Sequence, residues 1–236
     1  MSKNLRYLAL IPAAGAGSRL GGDLPKQYLP LGDRTMLEHS IAAMQSDARI
    51  DHVFVVVAPS DDRWRSVEVD AERVEFLPVG GASRAESVLN GLIALAARTH
   101  DDDRVLVHDA ARPCLTEAEL GRLIDEIGDD DRGGLLAIPL TDTLKRGEDG
   151  QVIATLDRDG LWCAQTPQMF RVASLRAALS ASTDGVTDEA SAIERNGNFP
   201  RLVMGSATNI KVTTEQDLLL ARAILGEREW SETELP

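Results

Sequence analysis

Apolar, β-branched runs recur along the chain near Tyr7 to Ile11, Val53 to Val57, Val74 to Leu77, Val105 to Val107 and Leu135 to Ile138, with helical signals between them. Runs this short and this continuously apolar predict strands buried on both faces. Thr35-Met36-Leu37-Glu38, Ser83-Arg84-Ala85-Glu86 and Thr116-Glu117-Ala118-Glu119 each have the capping-box spacing. After the last of them Leu120, Leu123, Ile124 and Ile127 fall at helical intervals. Such a βαβ series predicts an α/β fold with a mostly parallel central sheet, whose ligand crevice lies at the carboxyl ends of the strands. At 236 residues the chain suits one domain, 1–236.

The alternation breaks after Pro139. From residue 139 to about 168, the turn signals Glu148-Asp149-Gly150 and Arg158-Asp159-Gly160 flank β-prone pieces such as Val152 to Thr155, which predicts a hairpin arm. Two short strands cannot bury a core of their own, so the arm is expected to pack on a second copy and make a homodimer. Alternation resumes with a helix near Asp188 to Arg195, a strand at Leu202 to Met204, and then Asn209-Ile210-Lys211-Val212. A closing helix from Gln216 to Leu225 follows Thr213 and Thr214, which suit its cap.

The first strand leads into Ala13-Ala14-Gly15-Ala16-Gly17-Ser18-Arg19, and Pro25-Lys26 follows. Glycines directly after a strand let backbone N–H groups close on an anion, and a following helix N-terminus adds its positive end. Arg19 and Lys26 bring a fork-shaped donor and a point charge to the same place, which suits a nucleoside triphosphate. A P-loop would need Gly-Lys-Ser/Thr here, and no such tripeptide occurs in this loop. The dinucleotide fingerprint would put its third glycine at Leu20, and Val57-Ala58-Pro59 stands where a dehydrogenase needs a ribose-binding acid. His108-Asp109-Ala110-Ala111-Arg112 does not supply the catalytic signature of a kinase.

A net charge of −13, from 25 basic and 38 acidic residues, argues against nucleic acid or a membrane surface as a general partner. The runs Asp101-Asp102-Asp103 and Asp129-Asp130-Asp131 read as solvated loops. His39, His52, His100 and His108 have no metal-ligand spacing and read as packing or surface residues. Two cysteines, Cys114 and Cys163, suggest no disulfide framework. With no signal-peptide core and no membrane-length apolar stretch in the sequence, the expected location is the cytoplasm.

Pro12-Ala13-Ala14-Gly15 with Arg19 and Pro25-Lys26-Gln27-Tyr28, then Val107-His108-Asp109-Ala110-Ala111-Arg112-Pro113, Thr187-Asp188-Glu189-Ala190 and Asn209-Ile210-Lys211-Val212, together resemble the 2-C-methyl-D-erythritol 4-phosphate cytidylyltransferase family. The likeness runs from about residue 7 to 225. The first motif is shared across sugar nucleotidyltransferases, and the later ones narrow it to this group of the non-mevalonate isoprenoid pathway. The resemblance implies a Rossmann-like homodimer with an interlocking arm. It implies attack by a phosphate oxygen of methylerythritol phosphate on the α-phosphorus of CTP, giving CDP-methylerythritol and pyrophosphate with Mg²⁺.

By the same resemblance Arg19 and Lys26 stabilise the triphosphate in the transition state, and Asp109 is the carboxylate near the metal. Arg158 and Lys211 place the acceptor phosphate, with Thr143 as a further donor and Thr187 in the acceptor motif; Thr143 and Arg158 sit on the arm. Backbone atoms of Ala13 and Ala14, the Gly80-Gly81 turn and the Ser87 hydroxyl select the base. Arg84 lies near base and ribose, and Gly15, Asp109 and Ala110 near the sugar. Ala82 stands where the family often carries an acidic residue, so backbone contacts alone carry over there. Alternatives stay open by residue: Asp109 as a helix-capping or loop aspartate, Ser87 as an ordinary helix residue, Arg158 as a turn residue paired with flanking acids, Lys211 as an exposed strand residue, and Arg112 as part of a structural ion pair. At the level of function, the alternatives are a cytidylyltransferase for another polyol phosphate such as ribitol 5-phosphate and a non-catalytic nucleotide-binding module. Arg19, Lys26, Arg158 and Lys211 together weigh against the latter.

Overall fold

The computed structural model of the chain describes residues 5–15 and 24–233, so Arg19 and the rest of 16–23 lie outside the described residues. β1 (Tyr7–Pro12) leads toward a short 3-10 turn at Lys26–Tyr28 and a small hairpin, β2 (Pro30–Leu31) and β3 (Arg34–Thr35). Then come α1 (Met36–Gln45), β4 (Ile50–Val56), β5 (Val74–Leu77), α2 (Arg84–Ala94), β6 (Arg104–Val107), α3 (Glu117–Ile127) and β7 (Gly134–Pro139). β8 (Leu144–Glu148), β9 (Gln151–Leu156), β10 (Trp162–Arg171), α4 (Val172–Ala181), α5 (Glu189–Glu194), β11 (Arg201–Met204) and α6 (Glu215–Thr233) complete the order.

Among the described residues the central sheet has seven strands in the order β11-β7-β10-β6-β1-β4-β5. Its pairings are parallel except those of β10, which runs antiparallel to both β6 and β7. Side chains alternate between two cores, as the two-residue strand period requires. Ala9, Ile11, Val53, Val55 and Leu106 pack under α1 and α3, while Leu8, Leu10, Phe54, Val56 and Phe170 pack under α2, α4 and α5. Burial on both faces explains why these strands read as unbroken apolar runs. A smaller cluster of Leu31, Met36, Cys114, Val212 and Ala221 seats α6 beside the 209–213 segment.

Local signals placed the helices well. Thr35 and Thr116 form complete capping boxes with Glu38 and Glu119. Ser83 makes half of one: it accepts from Glu86 N, but the Glu86 carboxylate turns to Ala82 N at 2.7 Å. Thr214 Oγ1 accepts from Asp217 N at 3.2 Å, capping an α6 that continues past the expected Leu225 to Thr233.

The arm is shorter than the expected 139–168. β7 ends at Pro139, which pairs with Trp162, so β7 and β10 are themselves two sides of a hairpin whose connection carries the β8–β9 ribbon. Residues 162–168 belong to β10 and the central sheet, and Gln165 to Phe170 are buried. α4 was not expected, although Val172, Leu175 and Leu179 have helical spacing and are buried. Lys211 is not a strand residue, since 209–213 runs irregularly beside the site with Val212 N on Ala111 O at 2.8 Å.

Candidate active site

A cleft of about 450 Å³ opens over the carboxyl ends of β1 and β6. Its walls come from four chain segments that the sheet order brings together: Pro12 to Gly15 after β1, Gly81 to Arg84 at the start of α2, Asp109 to Ala111 after β6, and Lys211 with Thr213 before α6. Lys26 and Gln27 close one side. Of the expected site residues, Ala13, Ala14, Gly15, Lys26, Gly81, Arg84, Ser87, Asp109, Ala110 and Lys211 line this one cleft. Thr143 and Arg158 on the arm and Thr187 before α5 are exposed and do not line it.

Close packing of backbone makes the wall formed by Ala13, Ala14, Gly81 and Ser87. Ala13 is buried and donates its amide to Val56 O at 2.8 Å, while its carbonyl accepts from Gln27 Nε2 at 2.8 Å. Gln27 also reaches Gly15 O at 3.2 Å, so this buried amide ties the glycine loop to the Lys26 turn. A Cβ at Gly80 would stand 2.3 Å from Ala14 Cβ, and one at Gly81 would stand 2.5 Å from Glu86 Cβ. The two glycines are therefore required by contact. The Ser87 hydroxyl accepts from Gly81 N at 3.1 Å and donates to Ser83 O at 2.9 Å, which fixes the turn from behind.

Asp109 lies at the floor among cations. Its Oδ1 accepts from Arg84 Nε at 2.7 Å, its Oδ2 pairs with Lys211 Nζ at 2.8 Å, and Arg112 Nε stands 3.8 Å away. Burial alone would push this carboxyl up, but Arg84 and Lys211 outweigh it and hold Asp109 well below the usual carboxylate range. Arg84 continues the chain of charges, giving Nη1 and Nη2 to Glu189 at 2.6 and 3.0 Å. Burial works against its charge, and Glu189 and Asp109 more than restore it. Lys26 Nζ meets Val212 O at 3.1 Å, next to Lys211 in the chain. The arrangement thus gathers positive groups around one carboxylate on the floor of a backbone-lined cleft, which suits a polyanion.

Some of these contacts were not assigned from the sequence. Glu189 lies in the Thr187-Asp188-Glu189-Ala190 motif, but its burial and its grip on Arg84 depend on α5 meeting α2 across the sheet face. Gln27 was visible inside Pro25-Lys26-Gln27-Tyr28 without a role. Arg112 ties the 209–213 segment to the site through Nη1 on Asn209 O at 2.5 Å, with its Nε 3.8 Å from Asp109. For metal, no group of three or more His, Cys, Asp or Glu side chains among the described residues could form a cage. The donor set fits Mg²⁺ carried mainly by ligand phosphates, with one carboxylate at hand.

The family model for 2-C-methyl-D-erythritol 4-phosphate cytidylyltransferase (IspD) matches residues 7–227. A protein of that name from Laribacter hongkongensis is 54% identical over 224 residues, covering 94% of this chain and 96% of its own. One from Nitrosomonas eutropha is 51% identical over 229 residues, covering 95% and 98%. The crystal structure of a 4-diphosphocytidyl-2C-methyl-D-erythritol synthase is similar with a TM-score of 0.86 at 42% identity, covering 94% of this chain and 100% of its own. That of the Francisella tularensis cytidylyltransferase gives 0.80 at 33% identity, covering 93% and 99%. Fold, cleft and likeness define a Rossmann-like nucleotidyltransferase. The chain belongs to the 2-C-methyl-D-erythritol 4-phosphate cytidylyltransferase family.

Proposed function

We infer that this chain transfers CMP from CTP to 2-C-methyl-D-erythritol 4-phosphate. An oxygen of the acceptor phosphate bonds to the α-phosphorus of CTP as the bond to the pyrophosphate oxygen breaks, giving 4-CDP-2-C-methyl-D-erythritol and pyrophosphate in the non-mevalonate route to isoprenoids. The nucleophile is already an anion, so no strong base and no covalent enzyme intermediate are needed; holding two anions together and stabilising charge between them is the task. The observation that carries the reading is the convergence of Lys211 and Arg84 on Asp109, with Lys26 lining the same cleft, in a chain that matches this family over residues 7–227.

Lys26, with Arg19, stabilises the triphosphate; Lys211 and Arg158, with Thr143 and Thr187, place the acceptor; and Ala13, Ala14, Gly81 and Ser87 shape the base pocket. Asp109 would be the carboxylate near Mg²⁺, which when bound would offset charge on the departing pyrophosphate. Arg158 and Thr143 are exposed on the arm, so they complete a site only if the arm reaches a second copy. The arm's apolar side chains support that homodimer, because Val152 and Ile153 are 66% and 54% exposed. The chain, including the arm, forms one domain over 1–236. The reading places it in the cytoplasm: both cysteines are free thiols, and no helix among the described residues is long and apolar enough to cross a membrane.

Pyrophosphate release with Mg²⁺ and CTP, run in parallel with methylerythritol phosphate and ribitol 5-phosphate, tests the assignment. Release with methylerythritol phosphate alone is expected. Release with ribitol 5-phosphate alone would overturn the acceptor and keep the donor chemistry, and silence with both would overturn the catalytic reading.

A further inference from the structure

Beneath the cleft floor lies a buried polar knot that no role above uses. Asp109 N donates to Thr166 Oγ1 at 3.0 Å, and Thr166 Oγ1 meets His108 Nδ1 at 3.1 Å. His108 Nε2 meets Arg112 O at 3.0 Å. A carbonyl only accepts, so Nε2 carries the imidazole proton and Nδ1 is the acceptor. The Thr166 hydroxyl then has one consistent state: it accepts from the Asp109 amide and donates to His108. Every donor in this run is satisfied, in a place where an orphaned one would be costly.

The same knot holds the segment that carries Lys211. Thr166 O accepts from Asn209 Nδ2 at 2.9 Å, and Val212 N reaches Ala111 O at 2.8 Å, so residues 209–212 hang from the turn after β6 and from the part of β10 where its register against β7 shifts between Ala164 and Gln168. The amide of the residue whose carboxylate touches both Arg84 and Lys211 is thus anchored by one hydroxyl, while its carbonyl accepts from Arg112 N at 3.0 Å.

We propose that Thr166, backed by His108, is a positioning residue for the transfer reaction: it fixes the main chain at Asp109 and thereby the placement of Lys211 and Arg84. The role rests on the cytidylyl-transfer reading. Thr166→Val keeps the shape and removes the hydroxyl, leaving the Asp109 amide and His108 Nδ1 without partners, whereas Thr166→Ser keeps the hydroxyl.

The test compares wild type, Thr166→Val and Thr166→Ser in the pyrophosphate assay, each corrected for folded protein and assayed well below its unfolding temperature. Because a displacement of about 1 Å in a catalytic site costs up to ~100-fold, Thr166→Val is expected to lose ~10- to 100-fold in kcat. The KM for CTP should move less than about threefold, the acceptor KM should rise with the displaced Lys211, and Thr166→Ser should recover most of the rate. A folded Thr166→Val with kcat within about twofold of wild type, or losses that only track the unfolded fraction, would overturn the proposal. If wild type itself releases no pyrophosphate with either acceptor, the transfer reading falls, and the imidazole decides the arrangement. Nitrogen-15 spectra showing a fixed Nε2–H tautomer of His108 that becomes mixed in Thr166→Val uphold it, and an Nδ1–H tautomer in wild type overturns it.

Discussion

The His108 imidazole is sealed from solvent between Thr166 and Arg112, and burial pushes its pKa down to about 4 from an ordinary value of 6.5. In the unfolded chain the ring takes a proton as pH falls through its ordinary value; in the fold it stays neutral until near pH 4. The unfolded state therefore binds more protons across that window, and stability is lost as pH falls through it, by up to ~3 kcal/mol. Denaturant unfolding of wild type and His108→Gln at pH 7, 5.5 and 4.5 checks this. Wild type should lose more stability than the variant between the ends of the series, and parallel losses would sink the idea. At this scale the sequence exposed which side chains meet in the cleft, because Lys26, Asp109 and Lys211 stand in short motifs with distinctive neighbours. It did not expose Glu189 or Thr166, whose roles come from partners 105 and 57 residues away in the chain.

Among the elements, capping boxes at Thr35 and Thr116 were legible because each is a contact over three residues that owes nothing to the rest of the fold. β10 was not. Trp162 to Ala164 read as part of the arm, and the strand's membership of the sheet depends on β7 and β6 flanking it in antiparallel register. The β8–β9 ribbon leaves Val152 and Ile153 exposed where its register shifts opposite Arg146 and Gly147, so the ribbon offers apolar surface at its bulge. Replacing both by Asp should convert the species seen in sedimentation from two chains to one while leaving the central sheet folded. A double variant that sediments like wild type would exclude the arm from the interface.

For the whole molecule, the separation of Arg158 and Thr143 from the cleft makes a further demand. Lys26→Ala should cut turnover by ~10²-fold or more, the scale of losing one preorganised charge at a transition state, with a smaller change in CTP affinity. Arg158→Ala should mainly raise the acceptor KM. Freshly exchanged mixtures of the two variants should regain activity, since a heterodimer in which each arm serves the other subunit restores one intact site. No gain in verified heterodimers would mean that each subunit completes its own site.

What the sequence by itself determined was local or periodic: buried strands from continuous apolar runs, helix starts from capping residues, a glycine turn after the first strand with Lys26 close behind, and a hairpin where alternation stopped. These follow from interactions across a few residues, which composition and spacing express directly. Only the tertiary structure decided that Asp109 would be shared by Arg84 and Lys211, that β10 would run against its neighbours, and that a buried run of hydroxyl, imidazole and main chain would lie under the cleft. Those contacts join segments far apart in the chain, and they exist because the sheet order and the burial of both its faces bring the segments together at the carboxyl ends of the parallel strands.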